Sequence, residues 1–274
     1  MKIIMTLYVR DEEDIVSYNI DFHLKMGVDF FIVTDNLSQD GTSNILKKYE
    51  AAGVLKYYYS DDHTHSQYRH VTKMAREAFT EYKADWVINN DADEFWLPKG
   101  GANLKDVFNS FPANVKAVLF NRINFVPLRF YSDPFYKEMI YRQVMSKNWL
   151  GSPLPGKTAH RGDPWINVAQ GNHSVFIDGP IPGTLSGDIE ILHFTGRAFD
   201  RFERSIAFGG KAYEQNKVLG KECGIVRRTL YEEYKLNGDL TSFYGREYYT
   251  RERVERELKK GKIITDKRIC DFFD

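Results

Sequence analysis

The sequence predicts an α/β fold: a Rossmann-like, mostly parallel sheet with helices on both faces, followed by a helical C-terminal segment. Two patterns carry this expectation. Short β-prone runs alternate with helix-period runs through the first half of the chain, which is how strands joined by crossover helices read. From Phe199 onward the pattern becomes helical and strongly charged. With 274 residues the chain can bury a substantial core without disulfides or a structural metal.

The elements follow in order. Ile3 to Val9 is a short β-prone run, and Asp11 then offers an N-cap with acidic residues through the first turn. Ile15, Tyr18, Phe22 and Met26 recur at helical spacing, and Gly27 stops that helix. Phe30 to Thr34 reads as a second strand ending in the polar turn Asp35 to Thr42. A helix over 43–51 and a strand over 55–59 come next. Val71, Met74, Ala75, Ala78, Phe79 and Tyr82 form one apolar helical stripe. Trp86 to Asn89 is a fourth strand that runs into Asp91-Ala92-Asp93-Glu94-Phe95. Parallel sheets bind ligands beyond the carboxyl ends of their strands, and both polar turns lie at that edge. The second half adds strands over 117–126 and 189–194, with loops rich in Gly, Pro and His between 151 and 183. Two regions result: a ligand-binding and catalytic domain over 1–198, and a charged helical extension over 199–274.

Lys plus Arg number 38 and Asp plus Glu 38, so the net charge is zero, which argues against binding nucleic acid through bulk phosphate neutralisation. Cys223 and Cys270 have no metal-like spacing and read as free thiols in a reducing compartment. No run approaches the 18 apolar residues of a membrane span, and the first residues lack a signal peptide's apolar core. The sequence therefore reads as cytoplasmic. The charged helix over 251–262 is read as solvated, with peripheral association at the inner face of a membrane as the alternative.

Asp91 and Asp93 follow a buried strand two residues apart. In extended chain such residues point the same way, so both carboxylates can face one point. Hard oxygen donors of this kind suit Mg²⁺ or Mn²⁺ held jointly with phosphates. The run Met5-Thr6-Leu7 to Arg10-Asp11-Glu12-Glu13, then His23, Gly27-Val28-Asp29 and Val33-Thr34-Asp35-Asn36 resembles the start of a family 2-type glycosyltransferase of the GT-A fold. Asp91-Ala92-Asp93-Glu94-Phe95 resembles that fold's DXD motif, in the DxDEF form of a subgroup related to family 92. Lys157-x-x-His160-Arg161, Gly171-Asn172-His173 and His193-Phe194 resemble later motifs of the subgroup.

The resemblance implies transfer of a sugar from a nucleotide diphosphate, UDP by preference, to a carbohydrate or glycoconjugate hydroxyl, with inversion. It implies that Thr6 and Asp35 hold the nucleotide base and that Arg10 and Glu12 lie beside it. Asp91 would reach the ribose or a metal-bound water, and Asp93 and His193 would ligate the metal, a donor set favouring Mn²⁺ over Mg²⁺. Arg69, and with it Arg76, is a candidate for the diphosphate, and Lys157 for the diphosphate or acceptor side. Asp163 is the first choice of general base, although the family's usual Glu-Asp pair is missing there; His173, Asp188 and Glu190 are the alternatives. Two other functions compete: a non-catalytic carbohydrate-binding protein using the aromatic stretch 130–141, and a metal-dependent phosphatase using Asp91 and Asp93. Against the phosphatase, Phe95 stands where an Asp-x-Asp-x-Thr motif needs Thr.

Overall fold

A computed structural model describes residues 1–64 and 66–274. The first half forms β1 (Ile3–Val9), α1 (Val16–Lys25), β2 (Phe30–Asn36), α2 (Thr42–Ala51), β3 (Leu55–Ser60), α3 (Gln67–Thr80) and β4 (Trp86–Asn90). Then come β5 (Glu94–Pro98), α4 (Leu104–Ser110), β6 (Ala117–Asn124), α5 (Phe135–Glu138), β7 (Tyr141–Gln143), β8 (Lys157–Arg161), β9 (Asn167–Val168), β10 (Val175–Phe176) and β11 (Gly183–His193). The chain closes with α6 (Phe199–Gln215), α7 (Ile225–Asn237), α8 (Thr241–Glu247), α9 (Arg251–Lys259), β12 (Ile263–Thr265) and α10 (Arg268–Phe273).

Eight strands form one sheet in the order β3-β2-β1-β4-β8-β6-β11-β5. Its parallel half is the β–α alternation of the first ninety residues: β1 pairs in parallel with β2 and β4, and β2 with β3. Burial fixes this arrangement. Six of the seven residues of β1 are buried, and α3 lays Val71, Met74, Ala75 and Ala78 against a core that includes Ile4, Ile32 and Val87. Beyond β4 the direction reverses, because β8 pairs antiparallel with both β4 and β6. Consequently Lys157, the first residue of β8, comes to the carboxyl edge of the parallel strands, while Arg161 lies opposite Trp86 at their amino edge.

The first helix begins at Val16, four residues later than an Asp11 cap requires. Asp11 instead takes a left-handed conformation, φ 53°. Its carboxylate accepts from Gln39 N at 2.6 Å, and Glu13 accepts from Gly41 N at 2.7 Å. The acidic residues thus satisfy the backbone of the neighbouring β2–α2 turn rather than their own helix.

Contacts divide the chain into two compact units. The first holds residues 1–62, 66–122 and 155–192, and with them nearly all of the eight-stranded sheet. The second holds residues 123–154 and 193–274 with a short piece at 63–64. Its core packs Ile206, Leu230, Leu240, Phe243 and Tyr248, with Trp149 at the margin. Gly210 lets α6 and α7 meet there, since a Cβ at that position would fall 2.1 Å from Cγ of Tyr231. Among the described residues no helix is long and apolar enough to cross a membrane.

Candidate functional site

The carboxyl end of β4 is braced before any charge is considered. Asn19 Nδ2 donates to the carbonyls of Ala92 and Glu94, both at 2.9 Å. Asn90 Nδ2 donates to Glu94 O at 3.0 Å, and its Oδ1 accepts from Trp96 Nε1 at 2.8 Å. Glu94 N donates to Asp91 O at 3.1 Å, so Asp91 to Glu94 form a closed turn. The expectation of extended chain through Asp91 and Asp93 is therefore corrected, and with it the argument that both carboxylates face one point.

On this turn sits a cluster of two carboxyl–cation pairs in which Lys157 and Glu94 are buried while Asp91 keeps 33% of its side chain exposed. Lys157, 1% exposed, gives its ammonium to Asp91 Oδ2 and lies 3.3 Å from Glu94 Oε2. Glu94 is fully buried and also meets Arg122 Nη1 at 3.2 Å. Asp91 Oδ1 accepts from Gln67 Nε2 at 3.1 Å and Asn172 Nδ2 at 3.2 Å. Burying such charges is tolerable only when each finds an opposite partner and further hydrogen bonds. Asn172 reaches Asp91 from a left-handed conformation, φ 63°, a strain of the kind found where surroundings over-determine a residue. Lys157, expected on the diphosphate or acceptor side, therefore faces the carboxylates of Asp91 and Glu94.

His173 stands beside this cluster. Its Nδ1 lies 2.8 Å from the Gly156 carbonyl. A carbonyl only accepts, so Nδ1 carries the proton and Nε2 keeps its lone pair. Burial, followed by the charges of Lys157 and Arg122, pushes its pKa down to about 4, so the ring is neutral at pH 7.

The other candidates are placed as follows. Thr6 lies in the middle of β1, 1% exposed, and donates to Asn89 Oδ1 at 2.8 Å. Asp35 is fully buried and accepts from Ser38 N at 3.1 Å, Tyr57 Oη at 3.2 Å and Ser43 Oγ. These hydrogen bonds hold the sheet and its turn together. Arg10 stays at the edge, donating to Asn36 O at 3.3 Å, and Glu12 N donates to Thr42 Oγ1 at 2.8 Å. Arg69 stacks on Tyr68 and lines an open groove with Tyr58, Lys73 and Arg76, away from Asp91. Arg76 is tied to Ile166 O at 2.8 Å and Asn167 Oδ1 at 2.7 Å.

Asp163 is not brought to the site. It follows Arg161 at the amino edge of the sheet, where its carboxylate accepts from Trp165 N at 2.7 Å in a local turn. Gly162 N, next to it, donates to Asp85 O, so the length of β4, about 16 Å at strand rise, separates this turn from Asp91. Asp188 and Glu190 lie toward the far end of β5, where Asp188 O accepts from Lys99 N. Asp93 is half-buried beside Asp91. His193 is the last residue of β11, counts with the second unit, and shares a 2.7 Å hydrogen bond with Asn124 Oδ1 through Nδ1. Among the described residues, no three His, Cys, Asp or Glu side chains converge as a metal-binding group. The Asp91 oxygens accept from one ammonium and two amides, and 33% of its side chain is exposed.

Sequence reading gave no role to Glu94, Gln67, Asn172 or Arg122. Glu94 was visible within the motif, whereas Arg122 carries no local signal. A second polar group was also missed. Tyr8 stacks on His70 at 5.2 Å, and His70 lies 3.5 Å from the Asp62 carboxylate. The Tyr8 hydroxyl and Asn36 Oδ1 are buried at the ends of β1 and β2 without a hydrogen-bond partner among the described residues. Burial, then the Asp62 charge, raises the Tyr8 pKa far above its ordinary value.

Comparison with known proteins now bears on this geometry. No curated protein matches the chain. Among solved structures, residues 1–349 of S. aureus TarS in complex with UDP are 13% identical, with TM-score 0.45, covering 89% of this chain and 74% of that one. Glucosyl-3-phosphoglycerate synthase from Mycobacterium tuberculosis, in complex with Mn²⁺, UDP and glucosyl-3-phosphoglycerate, is 16% identical with TM-score 0.31, covering 58% and 56%. Mannosyl-3-phosphoglycerate synthase from Rubrobacter xylanophilus is 19% identical with TM-score 0.30, covering 44% and 40%. The model of glycosyltransferase family 92 matches residues 5–174, which span the parallel strands, the Asp91 turn, Lys157 and His173. That match extends over more than half of the sequence, and the chain belongs to glycosyltransferase family 92.

Proposed function

We propose that this glycosyltransferase moves a sugar from a nucleotide diphosphate, UDP by preference, to a hydroxyl of a carbohydrate or glycoconjugate acceptor, with inversion at the anomeric carbon. The observation that supports this reading best is the buried cluster of Asp91, Lys157, Glu94 and Arg122 at the carboxyl edge of the parallel strands. It fixes the turn bearing Asp93 at the place where such sheets bind ligands.

Inverting transfer needs a base on the face of the sugar opposite the leaving diphosphate. Of the candidate bases, His173 is the one that stands beside the Asp91–Lys157 cluster. Its Nδ1–H is held by the Gly156 carbonyl, and its Nε2 is a lone pair that accepts the acceptor hydroxyl's proton as the new C–O bond forms. A pKa of about 4 keeps it unprotonated across the neutral range, as a carboxylate base would be. Arg10, Tyr8 and Asn36 at the ends of β1 and β2 supply polar groups for the nucleotide. A divalent ion, Mn²⁺ or Mg²⁺, would arrive with the diphosphate and neutralise charge on the leaving group, with Asp93 and His193 as residues of the right donor chemistry.

The test is a set of thermal melts with UDP, GDP, CDP and TDP, each with and without Mn²⁺. A ligand at 100 times its dissociation constant stabilises the folded state by about 2.7 kcal/mol, well within the resolution of a melt. A shift with one nucleotide diphosphate is expected, largest with Mn²⁺. No shift with any of the four overturns the reading.

A further inference from the structure

We propose that Lys157 is the resident cation of Asp91, and that this built-in ammonium closes Asp91 to divalent metal ions. Three features lead there, none of them dependent on the donor or acceptor. First, the Lys157 side chain is 1% exposed and its Nζ meets Asp91 Oδ2 and, at 3.3 Å, Glu94 Oε2. A metal ion bonding Asp91 Oδ2 where Nζ stands would have to displace a buried ammonium, although 33% of the Asp91 side chain itself is exposed. Second, the acceptor capacity of Asp91 is engaged on both oxygens, since Gln67 and Asn172 donate to Oδ1. Third, the charges balance. Asp91 and Glu94 face Lys157 and Arg122, so within these four residues each carboxylate already has a cation.

The arrangement carries a consequence that a merely structural lysine would not. Nζ is the point on which two carboxylates converge. Replacing the ammonium by an apolar group of similar length removes the cation between those carboxylates and leaves Arg122 on Glu94 alone, so that Asp91 Oδ2 and Glu94 Oε2 become a pair of hard oxygen donors suited to Mg²⁺ or Mn²⁺. Loss of Lys157 therefore creates a metal site at Asp91, whereas a lysine that only filled space would leave metal binding unchanged. Lys157 acts on the site by positioning Asp91.

The experiment is Mn²⁺ titration of the nucleotide-free protein, followed by the loss of the six-line electron paramagnetic resonance signal of free Mn²⁺. Wild type, Asp91→Asn, Lys157→Met, Lys157→Arg and the double variant Lys157→Met with Asp91→Asn are compared. Any Mn²⁺ bound by wild type is expected to be insensitive to Asp91→Asn. Lys157→Met is expected to gain one site per chain, about tenfold tighter or more than any wild-type binding. Lys157→Arg, which keeps the positive charge, gains none, and Asp91→Asn in the double variant removes the gained site. Wild-type binding abolished by Asp91→Asn would overturn the proposal, as would a folded Lys157→Met without a new site. Should Lys157→Met fail to fold, the comparison of wild type with Asp91→Asn decides alone.

Discussion

Glu94→Gln changes one atom and tests whether the buried cluster is electrostatically coupled. Glu94 is fully buried, with Arg122 at 3.2 Å and Lys157 at 3.3 Å. Removing its charge takes the carboxylate away from Arg122 and leaves Lys157 with Asp91. Breaking a buried pair by removing one partner costs about 3–5 kcal/mol. Glutamine retains an oxygen acceptor for one of the two donors, and the Arg122 side chain keeps 11% of its surface in water, so the low end applies, about 3 kcal/mol. At about 2–4 °C per kcal/mol for a chain of this size, the melting temperature falls by about 6–12 °C. Urea unfolding followed by tryptophan fluorescence reads this directly, because Trp86 and Trp96 are fully buried in the same unit. The double variant Glu94→Gln with Lys157→Met removes one charge of each sign. It is expected to be less destabilised than the sum of the two single variants, by about 2 kcal/mol. A Glu94→Gln cost below about 0.5 kcal/mol, the range of ordinary surface changes, would refute the reasoning.

Further expectations follow from single residues. His173→Ala should lower kcat by about 10²–10⁴-fold while the thermal shift with nucleotide diphosphate stays unchanged; an unchanged kcat removes His173 as the base. Burial lowers the pKa of His23 to about 3, and of His160 and His173 to about 4, from an unfolded value of 6.5. Their contribution to stability is complete above pH 6.5 and is lost as pH falls toward 4, because only the unfolded chain takes up those protons. Near pH 5 the slope reaches about 4 kcal/mol per pH unit for three histidines, so urea midpoints that stay flat from pH 7 to 5 would contradict it. Gly162→Ala puts a Cβ 2.1 Å from the Ala84 carbonyl oxygen, backbone against which nothing can yield cheaply, and should cost more than about 3 kcal/mol by urea unfolding. Tyr8→Phe removes a buried hydroxyl without a partner among the described residues, and should raise the stability of the nucleotide-free protein by about 1 kcal/mol while weakening its thermal shift with nucleotide.

How far the sequence could be read depended on whether each signal was local. The parallel half was legible because each of its strands is a short β-prone run and each helix follows as its own pattern. The start of α1 was misplaced because Asp11 and Glu13 carry the composition of a cap, yet their carboxylates serve Gln39 N and Gly41 N of the next turn. The Asp91 motif was found, but its conformation was not, since the turn is closed by Asn19 and Asn90. Asp163 was the first choice of general base, and no local pattern reveals that β8 runs antiparallel to β4, which puts Asp163 at the amino edge. Arg122 and Asn172 were invisible as partners of Glu94 and Asp91, being 28 and 81 residues away from them.

The most direct test of the central claim is proton NMR of slow donor hydrolysis, in which water replaces the acceptor and the released sugar is observed before it mutarotates. The account predicts that UDP-sugar is cleaved to UDP and free sugar by wild type, that the sugar first appears as the anomer opposite to the donor's, and that His173→Ala suppresses the reaction. First appearance of the donor's own anomer, or undiminished cleavage by His173→Ala, would contradict it.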